Sequence, residues 1–199
     1  EHARNHAYMR TQLVRSLINQ MFGQRMNELG MQENPPFISA GSYYGSFVKT
    51  CDAFTVSARA KNNEALVSLG ALLVETERVR KHGFTSSELE RAKANLLRNY
   101  ESRYLERNKR KNRELLRPLL GRLLNSQPAP GTEYEYAFTN HMMPGISLEE
   151  INRTAMGYIM DTNMIITVTG PEKEGIFIPG EQAIRELLSG FSTADIAPY

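Results

Sequence analysis

The chain has 199 residues, with 24 Lys and Arg against 22 Asp and Glu, for a net charge of +2. That balance excludes a protein drawn to nucleic acid by its overall field, and 41% apolar with 23% charged residues excludes a disordered chain. A single cysteine, Cys51, excludes an internal disulfide and a Cys-rich zinc module, and no apolar run approaches the roughly 20 residues that span a bilayer.

Residues 3–30 read as a helix, because Tyr8, Leu13, Leu17, Ile18, Met21, Phe22 and Leu29 recur near helical spacing and Gly30 is a natural stop. Asn34-Pro35-Pro36 breaks that pattern and forces an extended path. Phe37–Ala40 reads as a short strand, with Gly41-Ser42 or Gly45 as its turn or bulge. Ser46–Ala60 reads as a long strand that Asp52 interrupts: Phe54, Val56, Ala58 and Ala60 alternate with Thr55, Ser57 and Arg59. Asn62–His82 is a strong helix with Leu66, Leu69, Leu72, Leu73, Thr76 and Val79 on one face and Gly83 as its cap. Thr85 with Glu88, or Ser87 with Glu90, offers a capping box for the next helix, which carries Leu89, Ala92, Leu96, Leu97 and Tyr100.

Residues 98–122 hold nine basic side chains against three acidic ones, followed by the stripe Leu115, Leu116, Leu119, Leu120, Leu123 and Leu124. Pro118 starts a new helix there or kinks the existing one. Residues 126–134 read as a loop, Ser147–Glu150 as a capping box for a helix to about Met160, Met164–Thr169 as a strand, and Glu181–Ser189 as the last helix. The order predicts an α+β layer: a mostly antiparallel sheet with helices packed on one face.

The chain holds four histidines, so metal or acid–base chemistry has few groups to draw on. His2 and His6 stand at the i, i+4 spacing of zinc peptidases, but Asn5 stands before the second His and an amide cannot accept the proton of a metal-bound water. Two solvated terminal histidines is the better reading. His82 suits a helix C-terminus, where a cation offsets the dipole, and His141 is expected in a loop near Pro144 and Gly145. Cys51, between Lys49 and Asp52 in a strand pattern, is expected to be a packed, inert thiol. The basic run is expected to be a solvated helix face or a docking surface for an acidic part of a parent protein. It lacks the aromatic interleaving of an RNA-binding surface, so no nucleic-acid partner is expected.

Ile38, Ser39, Ala40, Gly41, Ser42, Tyr43, Tyr44 and Gly45 form the candidate binding segment. Glycines let another backbone come close, and an unpaired strand edge can accept an extended peptide. An ordinary hairpin with a partly buried tyrosine pair is the competing reading.

Several of these segments together resemble one family. Leu17–Leu29 resembles the helix ending in an Arg–Glu pair in pitrilysin- and insulysin-type zinc peptidases and in the mitochondrial processing peptidase. The strand segments Ile38–Gly45 and Phe47–Ala60 follow in the family's order, and His82–Lys93 is similar to its glycine, apolar, Ser/Thr, two residues, Glu, Leu helix start. Ile146–Ile151 and Met164–Gly170 look like its closing helix and last strand, so the likeness covers roughly residues 10–175.

The resemblance implies a processing-peptidase-like fold. It also implies a single peptidase-like domain over 1–199, with 1–9 and 176–199 as peripheral ends, forming part of a larger multidomain protein. The chain opens on Glu1, in keeping with a piece of a longer protein. Active domains of the family carry His-x-x-Glu-His, which none of these 199 residues forms. The resemblance therefore implies a non-catalytic domain, not an enzyme by itself, with zinc held in a partner domain and none here. The two domains would close a chamber around a peptide substrate, and Ile38–Gly45 matches the strand that holds substrate in some members. Arg25 matches a substrate-contacting Arg of other members, but Gln32 stands where they have Tyr, so Arg25 and Glu28 are candidates for an interdomain contact instead. A structural assembly module with the same fold is the alternative. No membrane span is expected, and the bacterial periplasm or cell envelope is the expected place of the parent protein.

Overall fold

The computed structural model describes residues 6–48, 50–125, 128–160, 162–191 and 196–199. The elements run α1 (His6–Gly30), β1 (Ser39–Val48), β2 (Cys51–Arg59), α2 (Ala65–His82), α3 (Ser86–Leu105), α4 (Asn112–Asn125), α5 (Thr132–Met142), α6 (Leu148–Tyr158) and α7 (Glu181–Phe191). Short 3-10 turns at Arg107–Lys109 and Met143–Gly145 lead into α4 and out of α5. The architecture is α+β, as expected: helices dominate, and among the described residues the sheet is one antiparallel pair, β1 with β2. No helix of the described residues is long and apolar enough to cross a membrane.

Two compact units divide the chain. One takes the residues up to Ile18 with Thr85–Ile151, and the other takes Asn19–Phe84 with Asn152–Tyr199.

In the first unit Leu13, Val14, Leu17 and Ile18 of α1, Leu89 and Ala92 of α3, and Phe138, Met143, Ile146 and Ile151 are buried. Each large apolar side chain removed from water contributes roughly 1.5–3 kcal/mol. Helix α3 starts on the expected capping box: the Thr85 hydroxyl accepts the Glu88 N–H at 3.3 Å and the Thr85 N–H donates to the Glu88 carboxylate at 2.7 Å. At the start of α6 the Ser147 hydroxyl accepts the Glu150 N–H at 3.2 Å. The Glu150 carboxylate is gripped by Arg10, whose Nη2 also donates to the Gly145 carbonyl at 3.2 Å. Pro118 does not start a helix; it lies inside α4. A proline there deprives the carbonyl four residues earlier of its donor. That carbonyl is Glu114's, and Arg110 Nη2 donates to it at 3.1 Å.

In the second unit Met21, Phe22 and Met26 of α1, Phe37, Leu72 and Val79 of α2, Phe84, Ala155 and Ile196 are buried. The buried stripe of α2 is Ser68, Leu72, Glu75 and Val79, a helical spacing that an apolar-only reading misses because two members are polar. Ser68 satisfies itself by donating to the Pro36 carbonyl at 2.7 Å, and Glu75 pairs with Arg78. Gly83 caps α2 at φ 68° and ψ −160°, and its N–H reaches the Val79 carbonyl at 2.9 Å. Here glycine is required twice over. The backbone lies in a region closed to side chains, and a Cβ would fall 2.6 Å from Asn152 Cγ.

Six expectations are corrected. Gly41-Ser42 and Gly45 make no turn; β1 runs straight through them, with a bulge between Ser46 and Val48, and Asp52 lies inside β2. The segment 126–134 is not loop throughout, because α5 starts at Thr132, and His141 sits in the last turn of that helix. Met164–Thr169 forms no ladder among the described residues, and Met164 and Ile165 are exposed. β-branched residues favour a strand only where a partner supplies hydrogen bonds. Cys51 is exposed, not packed, since it opens β2 at the uncovered end of the hairpin.

Candidate functional site

The β1–β2 hairpin carries the candidate binding segment. Ile38 precedes β1 and donates its N–H to the Arg59 carbonyl at 2.8 Å. Ser39 pairs with Arg59, Ala40 with Ala58, Gly41 with Ser57, Ser42 with Val56, Tyr43 with Thr55, Tyr44 with Phe54 and Gly45 with Ala53. The two tyrosines point to opposite faces, as alternation along a strand demands.

Tyr44 belongs to the covered face. Its ring stacks on Tyr158 of α6 with centroids 3.7 Å apart and planes 10° apart. Opposite it, Phe54 meets Phe22 edge-on at 5.6 Å. Tyr43 lies on the other face, largely exposed, with its ring folded along the strand over Gly45. A Cβ on Gly45 would collide with the Tyr43 phenol, so the glycine there makes room for an aromatic ring. Ile38, Phe47 and Val48 are also exposed, which leaves an apolar rim along β1.

The backbone edge has a defined geometry. Tyr44 N–H turns away from β2 and donates to Asn19 Oδ1 at 2.9 Å. In an antiparallel strand, groups of the same parity face the same side, so the N–H and C=O of Ala40 and Ser42 also face outward. Asn19 thus closes the edge at Tyr44, and among the described residues no backbone group bonds the outward groups of Ala40 and Ser42, whose hydroxyl is buried. Tyr158 is marked by no motif, and Asn19 lies within Leu17–Leu29 without being singled out there; their positions on α6 and α1 bring them to the hairpin.

Arg25 and Glu28 sit elsewhere in the same unit. Arg25 is 1% exposed, its Nη2 donates to the Gly83 carbonyl at 3.0 Å, and its guanidinium lies between the Phe84 ring at 4.9 Å and the Tyr199 ring at 4.2 Å. Glu28 accepts from Gln24 Nε2 at 3.1 Å and from the Tyr199 hydroxyl. The last residues are held further by His82 Nε2 on the Ile196 carbonyl at 2.7 Å and by Arg78 Nε on the Ala197 carbonyl at 3.0 Å. No local signal foretells the role of Tyr199, because its partners lie far back in the chain. Partial burial, and then the nearby charge of Arg25, push the Arg78 guanidinium below its usual range.

His2 and Lys49 lie outside the described residues. His6 Nε2 and the Tyr134 hydroxyl share a hydrogen bond of 2.6 Å, and the His6 ring leans on Phe138. Among the described residues no three His, Cys, Asp or Glu side chains converge. The first unit does hold a cluster of perturbed groups. Burial raises the Glu135 carboxyl above its usual range, against the pull of Arg103 and Arg110, and burial raises the Tyr100 phenol. Glu135 meets Arg103 at 3.2 Å.

Comparisons with known proteins give the arrangement a context. No family model matches the chain. A protein from Arabidopsis thaliana described as "Zinc protease PQQL-like" is 26% identical over 144 residues, 72% of this chain and 12% of its own length. The crystal structure of the periplasmic protease PqqL from Escherichia coli matches at a TM-score of 0.74 and 20% identity, over 98% of this chain and 22% of that one. The structure of the first half of the same protease matches at 0.73 and 16%, over 98% and 42%. A "Predicted insulinase family protease" from Yersinia pestis matches at 0.65 and 13%, over 94% and 39%. The solved structures establish the fold, and the chain spans about an eighth of the curated relative it matches and under half of each of these solved chains.

Proposed function

We propose, from the premise that the chain resembles pitrilysin- and insulysin-type zinc peptidases in sequence and fold, that it is a non-catalytic peptidase-like domain of such an enzyme. One observation carries the reading: a chain so like a zinc protease holds no His-x-x-Glu-His anywhere in its 199 residues. The zinc then belongs to a partner domain, and this domain helps to enclose a peptide substrate. Two of the similar structures come from a periplasmic protease, which suits the periplasm or cell envelope for the parent protein.

Within that reading β1 is the substrate-gripping strand. An extended peptide lying along its outer edge exchanges backbone hydrogen bonds with Ala40 and Ser42, while Asn19 fixes where the added strand must stop. Such pairing holds a peptide by its main chain and leaves cleavage to the zinc-bearing domain.

Two measurements test this. Metal analysis of the purified chain is expected to give well under one zinc per chain, and a peptide library is expected to remain uncut. Zinc near one per chain with chelation-sensitive cleavage refutes the non-catalytic role. An extended peptide that binds the chain is expected to lose affinity when its alternate backbone nitrogens are methylated. Unchanged affinity removes the strand-addition role.

A further inference from the structure

Helix α4 carries an apolar face that the described residues leave uncovered. Glu114, itself exposed, and the half-buried Pro118 line an open cleft of about 310 Å³ with Arg103, Glu106 and Arg110. Its six leucines face outward, between 47% exposed for Leu115 and 79% for Leu123. A helix of a folded domain normally turns such a stripe to the core. Six contiguous exposed leucines exceed the scattered apolar residues that need no explanation, and they mark an interaction surface.

The pattern of the face says what fits it. Leu115, Leu119 and Leu123 form one row at four-residue spacing, and Leu116, Leu120 and Leu124 form a second beside it. Two i, i+4 ridges with a groove between them are the surface into which another helix packs its own ridges. Arg122 lies seven residues from Leu115, and Arg113 seven from Leu120, so cations border both rows. Lys111, Arg113 and Arg122 are exposed and make no ion pair among the described residues. Between residues 107 and 125 seven basic side chains stand against one acidic. A second copy would set this charge against itself, and the helix has none of the aromatic anchors that interfacial membrane helices use.

We infer that the leucine face of α4 is the docking surface for a companion domain of the parent protease, which presents an apolar helix face bordered by carboxylates. The inference rests on the proposed function and identifies which surface makes the domain contact. It also agrees in scale: the similar proteases are far longer than this chain, with most of their length outside the matched part.

The test supplies the flanking parts of the parent open reading frame as a separate polypeptide and measures binding to the 199-residue chain. Leu119→Glu with Leu123→Glu is expected to weaken binding at least 30-fold. Both side chains are exposed, so circular dichroism should not change; Arg113→Glu with Arg122→Glu, which leaves the leucines intact, is expected to weaken it at least fivefold at low salt. Wild-type and variant chains binding equally overturns the assignment of α4 alone. No binding by the wild type overturns both this inference and the companion-domain reading. Leucine-dependent self-association by ultracentrifugation, or leucine-dependent adsorption to vesicles containing phosphatidylglycerol without binding to the flanking polypeptide, overturns it in favour of a second copy or a lipid surface.

Discussion

Replacing Gly83 by alanine tests why a glycine opens the Gly83-Phe84-Thr85 motif. The residue sits at φ 68° and ψ −160°, where a side chain costs about 1–3 kcal/mol. The added Cβ would lie 2.6 Å from Asn152 Cγ, so the Asn152 side chain must swing away. It then abandons two hydrogen bonds with Phe84, one accepted from the Phe84 N–H at 2.7 Å and one donated to the Phe84 carbonyl at 3.1 Å. Each is worth about 0.5–1.5 kcal/mol, so Gly83→Ala should cost about 2–6 kcal/mol. Urea unfolding followed by far-ultraviolet circular dichroism measures this against Asn152→Ala and the double variant. In the Asn152→Ala background the clash is gone, and Gly83→Ala should cost only the backbone part, about 1–3 kcal/mol. A single-variant cost under about 0.5 kcal/mol, or costs that add in full, would falsify the account of the glycine.

Other outcomes follow from the same structure. Thr85→Ala removes the hydroxyl that caps α3 and should cost about 1 kcal/mol, with Glu88→Ala costing less in that background than alone, by thermal melts. Pro118→Ala restores the donor that the Glu114 carbonyl lacks and should stabilise α4 by about 1–3 kcal/mol, read as slower amide exchange over residues 115–122; unchanged exchange would mean that Arg110 already does as well. Tyr199→Phe should cost about 0.5–1.5 kcal/mol for the Glu28 hydrogen bond, and Tyr199→Ala about 1 kcal/mol more for the lost stack on Arg25; equal costs would remove the cation–π role. Burial holds the Glu135 carboxyl above its ordinary 4.5 in the folded chain, so its contribution is present below the unfolded value and is lost as pH rises through the folded one. The melting temperature of Glu135→Gln minus that of wild type should therefore grow between pH 4 and pH 7.5, and a shrinking difference would contradict the burial effect.

Helices α1, α2 and α3 were legible because their signals are local. Apolar spacing within a few turns, the Thr85–Glu88 capping box and a glycine after a helix act within the reach of one chain segment. The likeness to zinc peptidases was legible for the same reason, through short runs such as His82–Lys93, and so was the absence of a zinc motif. Helix α5 escaped notice because Pro128, Pro130 and Gly131 just before it suggest a loop, and they only delay the start of a helix.

The amino-acid sequence by itself determined which residues can be helical and that a stretch resembling a zinc-peptidase helix start begins at Gly83. Only the tertiary structure decided what those residues touch. It brought Asn152 against Gly83, laid Tyr199 over Arg25, closed the β1 edge with Asn19, and turned the leucines of α4 outward and the charge of Glu75 inward. Hydrogen bonds and ring stacking act over a few ångströms in space between residues 25 to 174 apart in the chain, and no local pattern encodes such a meeting.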